Sequence, residues 1–323
     1  MITIYSYNIA EGTLASPPLE ELPNLFEAEN VDLWVDLESP SRSEAAVLST
    51  VFDFHELAIE DCTALDNEEA KLDDYEDYLF LVLHSVEFDA NTLKFDVNEL
   101  DLFFGKNFVV TYHKRPTPGI RQIKKRLEKN IDFMGQGSDE ILHAIVDTLV
   151  DNYLVSFKMV ERTILRLESE ILSEPSDKTF NSLFRLKRGL INLRRIIFPE
   201  VEVVDILGNS EHMLIQEENQ IYFQDIHDHI SNIEGRLRSY LDMVTGTMDT
   251  YVSITQYRMN SVMKTLTVGA TILLVPTLIS SIYGMNFEYM PFLHDQNGFS
   301  IIMMSSIVVV IALLWYFKKK NWY

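Results

Sequence analysis

Residues 280–291 read SSIYGMNFEYMP, and the polar members of that stretch are of types that handle a hydrated cation. Asn286 offers a neutral amide carbonyl, Glu288 a carboxylate, and Gly284 a residue that lets a chain leave a helix. Repeated around an axis, such a carbonyl makes a ring of acceptors that holds a cation's water shell without binding the ion so tightly that it stalls. Mg²⁺ dehydrates reluctantly, so recognition through its outer waters suits it. Gly284-Met285-Asn286 with Glu288 is equally the content of an ordinary solvent-exposed turn; its setting is what gives it weight. Alternating steps of four and three back from Ser281 reach Thr277, Leu274, Ala270, Thr267, Met263 and Asn260. That seam mixes small or hydroxylated residues with two larger apolar ones, which allows close helix packing or a face toward a water-filled channel. Packing polarity buried in lipid gives the same pattern, except that the amide of Asn260, near a membrane edge, prefers water or a partner.

The elements that must position these residues are two long uncharged runs. Residues 265–287 carry no charge, and neither do residues 296–317. A hydrocarbon core about 30 Å thick needs roughly 20 such residues in a helix. Arg258 and Lys264 precede the first run, Lys318, Lys319 and Lys320 follow the second, and the connecting loop has no Lys or Arg. The positive-inside rule then puts both termini in the cytoplasm and the loop outside, with Trp315, Tyr316, Trp322 and Tyr323 as an aromatic belt at the inner face. A multi-pass protein of the cell inner membrane is the expectation. Two spans cannot enclose a polar path, so transport requires a homo-oligomer.

Before the membrane the pattern changes twice. MITIYSYNI, DLWVDLES, DYLFLVLHSVEF, ELDLFFG and NFVVTYHK are rich in β-branched and aromatic residues and read as strands, the last two joined as a hairpin at Gly105-Lys106. SRSEAAVLSTVF starts with a serine cap and continues with helical spacing. From about residue 139 apolar residues recur at three- and four-residue steps as far as Pro175, and a basic helical segment follows. Either an antiparallel hairpin pairing acidic with basic helix, or two solvated faces, accounts for the charge. From about Ile221 the residues read as helix straight into the first span. Sixty-odd residues make a rod of about 90–100 Å.

Charge is segregated. The first 100 residues hold 24 acids and 3 bases, the rest 25 and 24, so nearly all of the net −22 lies in the first third. Such a region repels nucleic acid and attracts cations. The single cysteine, Cys62, rules out an intramolecular disulfide, and the N-terminus lacks the basic and apolar regions of a signal peptide. No nucleophile–base pair, catalytic metal cluster or phosphate-cradling glycine loop stands out, so neither an enzyme nor an organic cofactor is expected.

YGMNFEYMP between two C-terminal spans, the terminal YFKKKNWY and the cytoplasmic LKRGLINLRRIIFP resemble the CorA family of divalent-cation channels. The resemblance covers essentially the whole chain. It implies a funnel-shaped homopentamer with the first span lining the pore, Asn286 in the outer selectivity ring, and Asn260 near the cytoplasmic mouth. It adds Leu266, one step off the seam, to Met263 as a hydrophobic constriction. It further implies Mg²⁺ both as cargo and as a regulatory ligand between cytoplasmic domains, with Asp61 and Asp249 as matching carboxylates and Glu60 and Asp225 for a second site. The expected organisation is an acidic α/β domain over 1–138, a helical hairpin over 139–205, a stalk over 206–264, a pore-lining span over 265–283, the external loop over 284–297, a second span over 298–317 and a basic tail over 318–323. In fold terms this is an α+β cytoplasmic domain, layered as an α/β/α sandwich, then a long stalk helix and a two-helix transmembrane hairpin. One departure stands out: Phe292-Leu293 replaces the Glu-Leu common in the family, leaving Asp295 as the nearest other acid.

Three rivals follow. A zinc cargo, as in the related ZntB branch, is the first; the second is Asp225-Ile-His-Asp-His229 as a transition-metal site, where Asp225 and His229 share a helix face. The third is a membrane-anchored sensor or scaffold that transports nothing.

Overall fold

The computed structural model describes residues 1–64, 68–209, 214–292 and 295–322, the side chain of Asp132 excepted; Leu293 and Tyr323 lie outside the described residues. Two compact units emerge, Met1–Glu170 with Ser176–Thr247, and Ile171–Pro175 with Met248–Tyr323.

The first unit is built on a seven-stranded sheet in the order β2-β1-β3-β7-β6-β5-β4. Its strands are β1 (Ile2–Asn8), β2 (Thr13–Ala15), β3 (Val31–Glu38), β4 (Lys71–Asp74), β5 (Tyr78–Asp89), β6 (Lys94–Gly105) and β7 (Phe108–His113). Among the described residues, only β3 and β7 pair in parallel; β6 and β7 form the expected hairpin, with Gly105 opposite Phe108. The central strands are buried on both faces, which is why they read as apolar runs rather than alternations. Edge strands β2 and β4 escape a sequence reading because they need no such run.

Short helices α1 (Leu22–Phe26), α2 (Arg42–Ala45), α3 (Val47–Thr50) and α4 (Glu56–Thr63) lie among the strands. Ser41 and Glu44 form the capping box that opens α2, but the segment read as one helix is split at Ala46. Leu22, Val47, Leu48, Ala58 and Cys62 from these helices join Val35, Phe80, Phe103 and Val110 in one core. Alternation then sends Asp36 and Thr111 to the opposite face. There α5 (Pro118–Leu127) places Lys124 Nζ 2.5 Å from Asp36 Oδ2. Also on the sheet lie α6 (Ser138–Ser173), through Tyr153 and Ser156 to the carbonyls of His84 and Val86, and α7 (Asp177–Asn209), whose Gly189 faces the Phe95 ring. The sheet sits between helical layers.

Helix α7 runs through Pro199 to Asn209, so the stalk boundary expected at 206 falls inside it. The stalk is α8 (Glu217–Tyr283), one helix of 67 residues, which at 1.5 Å per residue is about 100 Å long. Helix α9 (Gly298–Lys319) follows the loop.

Candidate ion pathway and metal-binding carboxylates

The seam residues lie on α8 and are all exposed on the single chain: Asn260, Met263, Thr267, Ala270, Leu274, Thr277 and Ser281, with Leu266 beside them. Val268 is the one buried residue on that helix from Asn260 to Tyr283. A helix with so much uncovered apolar surface needs lipid or other copies around it. Threonine hydroxyls on it turn back on their own helix: Thr267 Oγ1 donates to the Met263 carbonyl at 2.8 Å, and Thr277 Oγ1 to that of Leu273 at 2.7 Å. Their protons are thereby spent, so the seam presents hydroxyl lone pairs, which accept from the waters around a cation. Pro276 lies inside α8 and cannot donate to the carbonyl four residues back, leaving that of Ile272 as a further acceptor.

Helix α8 ends at Tyr283, and the chain leaves it at Gly284. Gly284 is not left-handed; its N–H donates to the Ser280 carbonyl at 2.9 Å. A Cβ added there would lie 3.3 Å from that carbonyl oxygen. Among the described residues of the loop, Phe292 is left-handed, at φ 60°. Tyr283 Oη donates to the Pro291 carbonyl at 3.2 Å and ties the end of α8 across the loop. Met285, Asn286 and Glu288 are exposed. Asp295, the nearest other acid, accepts the Asn297 N–H at 3.1 Å through Oδ1.

The carboxylates implied for regulation are distributed as follows. Asp61 and Glu60 lie on α4, Asp225 and Asp249 on α8, and Asp61 and Asp249 belong to different compact units. Glu60, Asp225 and Asp249 are exposed. Asp225 stands 3.9 Å from His229, one turn along the helix. Asp61 already has a cation: Lys71 Nζ lies 2.6 Å from its Oδ2 and 2.9 Å from Asp73 Oδ2. Burial alone would depress the Lys71 pKa, but its hydrogen bonds to Asp61 and Asp73 raise it well above the ordinary lysine value. Lys71 went unnoticed in the sequence because β4 is an edge strand with no apolar signal.

Two buried polar networks were also missed. Asp36, Glu38 and His113 bring ligand atoms within 4.8 Å of one another, as a metal site would. Lys124 stands in the cation's place, and Thr111 and His113 engage Asp36 Oδ1 at 2.5 and 3.1 Å. Burial alone would raise the Asp36 pKa; the contacts with His113 and Lys124 hold it below the usual carboxylate value. In the second network, Glu200 of α7 accepts the His84 N–H at 2.8 Å, sits 3.1 Å from His84 Nδ1 and accepts Tyr153 Oη at 2.5 Å. That carboxylate satisfies an N–H on β5 beyond the last residue β4 pairs.

The CorA-like Mg²⁺ transporter protein family matches residues 30–319. The chain belongs to this family. YfjQ of Bacillus subtilis is 34% identical, covering 100% of this chain and 99% of its own. The cobalt/magnesium transport protein CorA of Thermotoga maritima is 31% identical over 99% of this chain and 92% of its own. The complete structure of the CorA magnesium transporter from Methanocaldococcus jannaschii superposes at a TM-score of 0.87 with 19% identity, over 100% and 99% of the two chains. The likeness extends through the α/β domain, the long helix and the C-terminal apolar helix. As in the CorA family at large, α8 and α9 are long and apolar enough to cross a membrane.

Proposed function

We propose that the chain is a channel for hydrated Mg²⁺, assembled as a funnel-shaped homopentamer with both termini in the cytoplasm. The observation that carries this reading is the α8 seam: exposed, with threonine donors spent internally, and leading to Asn286 and Glu288. Five such seams around an axis line a path with acceptors, with Met263 and Leu266 as its apolar constriction and Asn260 at the inner mouth. Asn286 forms the outer ring that holds the ion's water shell, and Glu288 concentrates cations beside it. Inward flow needs no ATP, because a divalent ion gains about 4–5 kcal/mol crossing 100 mV.

Regulation belongs to the cytoplasmic carboxylates. Asp61 of one subunit and Asp249 of the next, with Glu60 and Asp225 for a second ion, repel one another unless Mg²⁺ bridges them. Bound Mg²⁺ favours the closed ring, and its loss shifts the population toward the open one. Uptake of Mg²⁺ into liposomes holding the purified protein tests the reading, with Asn286→Ala as the paired variant. Flux in the parent and its loss in the variant are expected; no flux at low internal Mg²⁺ overturns transport and favours a scaffold. Co²⁺, Ni²⁺ and Zn²⁺ in the same assay identify the cargo.

A further inference from the structure

A cleft of about 660 Å³ opens within the first compact unit, between α6, the first turns of α7 and the turn joining β5 to β6. Four cations line it, Arg162 and Arg166 from α6 and Lys178 and Arg185 from α7, against one carboxylate, Glu170. Each pair recurs at helical spacing, so the two helices present facing rows of positive charge. Among the described residues, no carboxylate lies within ion-pair distance of Arg162, Lys178 or Arg185, and Arg166 reaches only Glu170, at 3.8 Å. Glu170 also accepts from Thr179 Oγ1 at 3.4 Å. Asp89, the acid at the start of the turn, is spent on the Asn91 N–H and the Thr92 hydroxyl, at 2.9 and 2.8 Å.

Like charges gathered in a concave site call for an anion. Guanidinium groups bind phosphate through paired N–H donors, and lysine adds a point charge. Leu93, Met159 and Leu167 supply apolar wall beside the cations, which inorganic phosphate alone does not use. The volume is that of a small-molecule site.

We propose that this cleft binds a nucleoside triphosphate, its phosphates against Arg162, Arg166, Lys178 and Arg185 and its base against the apolar wall. The lining has no carboxylate free to share a metal ion, so the Mg²⁺-free nucleotide binds more tightly than its Mg²⁺ complex. The site is independent of the transport reading. One consequence does rest on that reading: free nucleotide rises as Mg²⁺ falls, so occupancy would report the same depletion that opens the channel.

Isothermal titration of the detergent-solubilised full-length chain with ATP tests it, once with EDTA and once with excess Mg²⁺. Saturable binding is expected, weaker with Mg²⁺. It should weaken at least tenfold in Arg162→Glu/Arg185→Glu and hold in Lys125→Glu, a charge reversal at an exposed site on α5 outside the cleft. These substitutions alter exposed side chains only, and retention of the parent melting temperature confirms that the fold is intact. No binding, equal binding by the double variant, or tighter binding of the Mg²⁺ complex overturns the proposal. Inorganic triphosphate binding as tightly as ATP overturns the assignment of a nucleoside.

Discussion

Lys71→Met removes the ammonium that holds Asp61 while keeping the length of the stem. Lys71 Nζ is 2.6 Å from Asp61 and 2.9 Å from Asp73, and the lysine and Asp61 side chains are 35% and 25% exposed. At full water screening, unit charges at that separation attract by about 1.6 kcal/mol. Partly exposed pairs measure lower, because two side chains must be ordered and salt screens them, so about 1 kcal/mol is the working value. Mg²⁺ that uses Asp61 must displace or tolerate this ammonium. Its removal should therefore tighten regulatory binding about fivefold, since 1.4 kcal/mol is about a factor of ten. In liposome flux at graded internal Mg²⁺, the half-inhibiting concentration should fall about fivefold in Lys71→Met and rise in Asp61→Asn. The double variant should behave like Asp61→Asn alone, because the lysine acts only through that carboxylate. An unchanged half-inhibiting concentration in Lys71→Met refutes the reasoning, as does sensitisation that persists without Asp61.

The buried His84–Glu200 pair makes stability depend on pH. Burial alone would lower the His84 pKa, but the hydrogen bond and charge of Glu200 raise it above 6.5. The pair's contribution is complete below pH 6.5 and is lost as pH rises through the higher folded-state value, so the melting temperature should fall across that window. In Glu200→Gln the one amide oxygen can still accept the His84 N–H, while Tyr153 Oη keeps the His84 carbonyl as acceptor, and the pH slope should flatten; a slope equal to the parent's excludes this pair as its source. Gly298→Ala puts a Cβ into the Phe292 carbonyl oxygen, where backbone must move. A loss of about 1–3 kcal/mol is expected, read as a lower melting temperature, and no change in melting would show that the start of α9 is not packed this way. Phe292→Gly relieves a left-handed residue and should stabilise the loop by about 1 kcal/mol in the same measurement.

What could be read in advance followed where the physical signal lives. Strands β3, β5, β6 and β7 announce themselves because strands covered on both faces are largely apolar, rich in β-branched and aromatic residues. Strand β4, Lys-Leu-Asp-Asp, sits at the sheet edge and has no such need, so both the strand and its lysine were silent. The α8 seam was legible because a helix imposes a period. The return of its threonine hydroxyls to their own helix was not, since serine and threonine have that option in any helix. Pro199 suggests a helix end by residue type, yet α7 continues past it to Asn209. The Glu200–His84 contact joins residues 116 positions apart, and no local pattern encodes that distance.

The loop sharpens the question of charge at the mouth. Phe292 stands where an acid is common, and Asp295 is the other carboxylate nearby. One oxygen of Asp295 is already engaged with the Asn297 N–H in the turn before α9, so its charge is tied to building that turn. Glu288 is exposed, with no side-chain partner among the described residues. If attraction of cations to the mouth rests on Glu288, then Glu288→Gln should raise the Mg²⁺ concentration for half-maximal flux several-fold at low ionic strength. The effect should shrink as salt shortens the Debye length from about 30 Å at 0.01 M toward 8 Å at 0.15 M. Asp295→Asn should leave that salt dependence nearly intact, and its amide oxygen can still accept the Asn297 N–H. The reverse pattern, with Asp295 governing the salt dependence and Glu288 silent, would place the missing acid's role on the turn rather than beside Asn286.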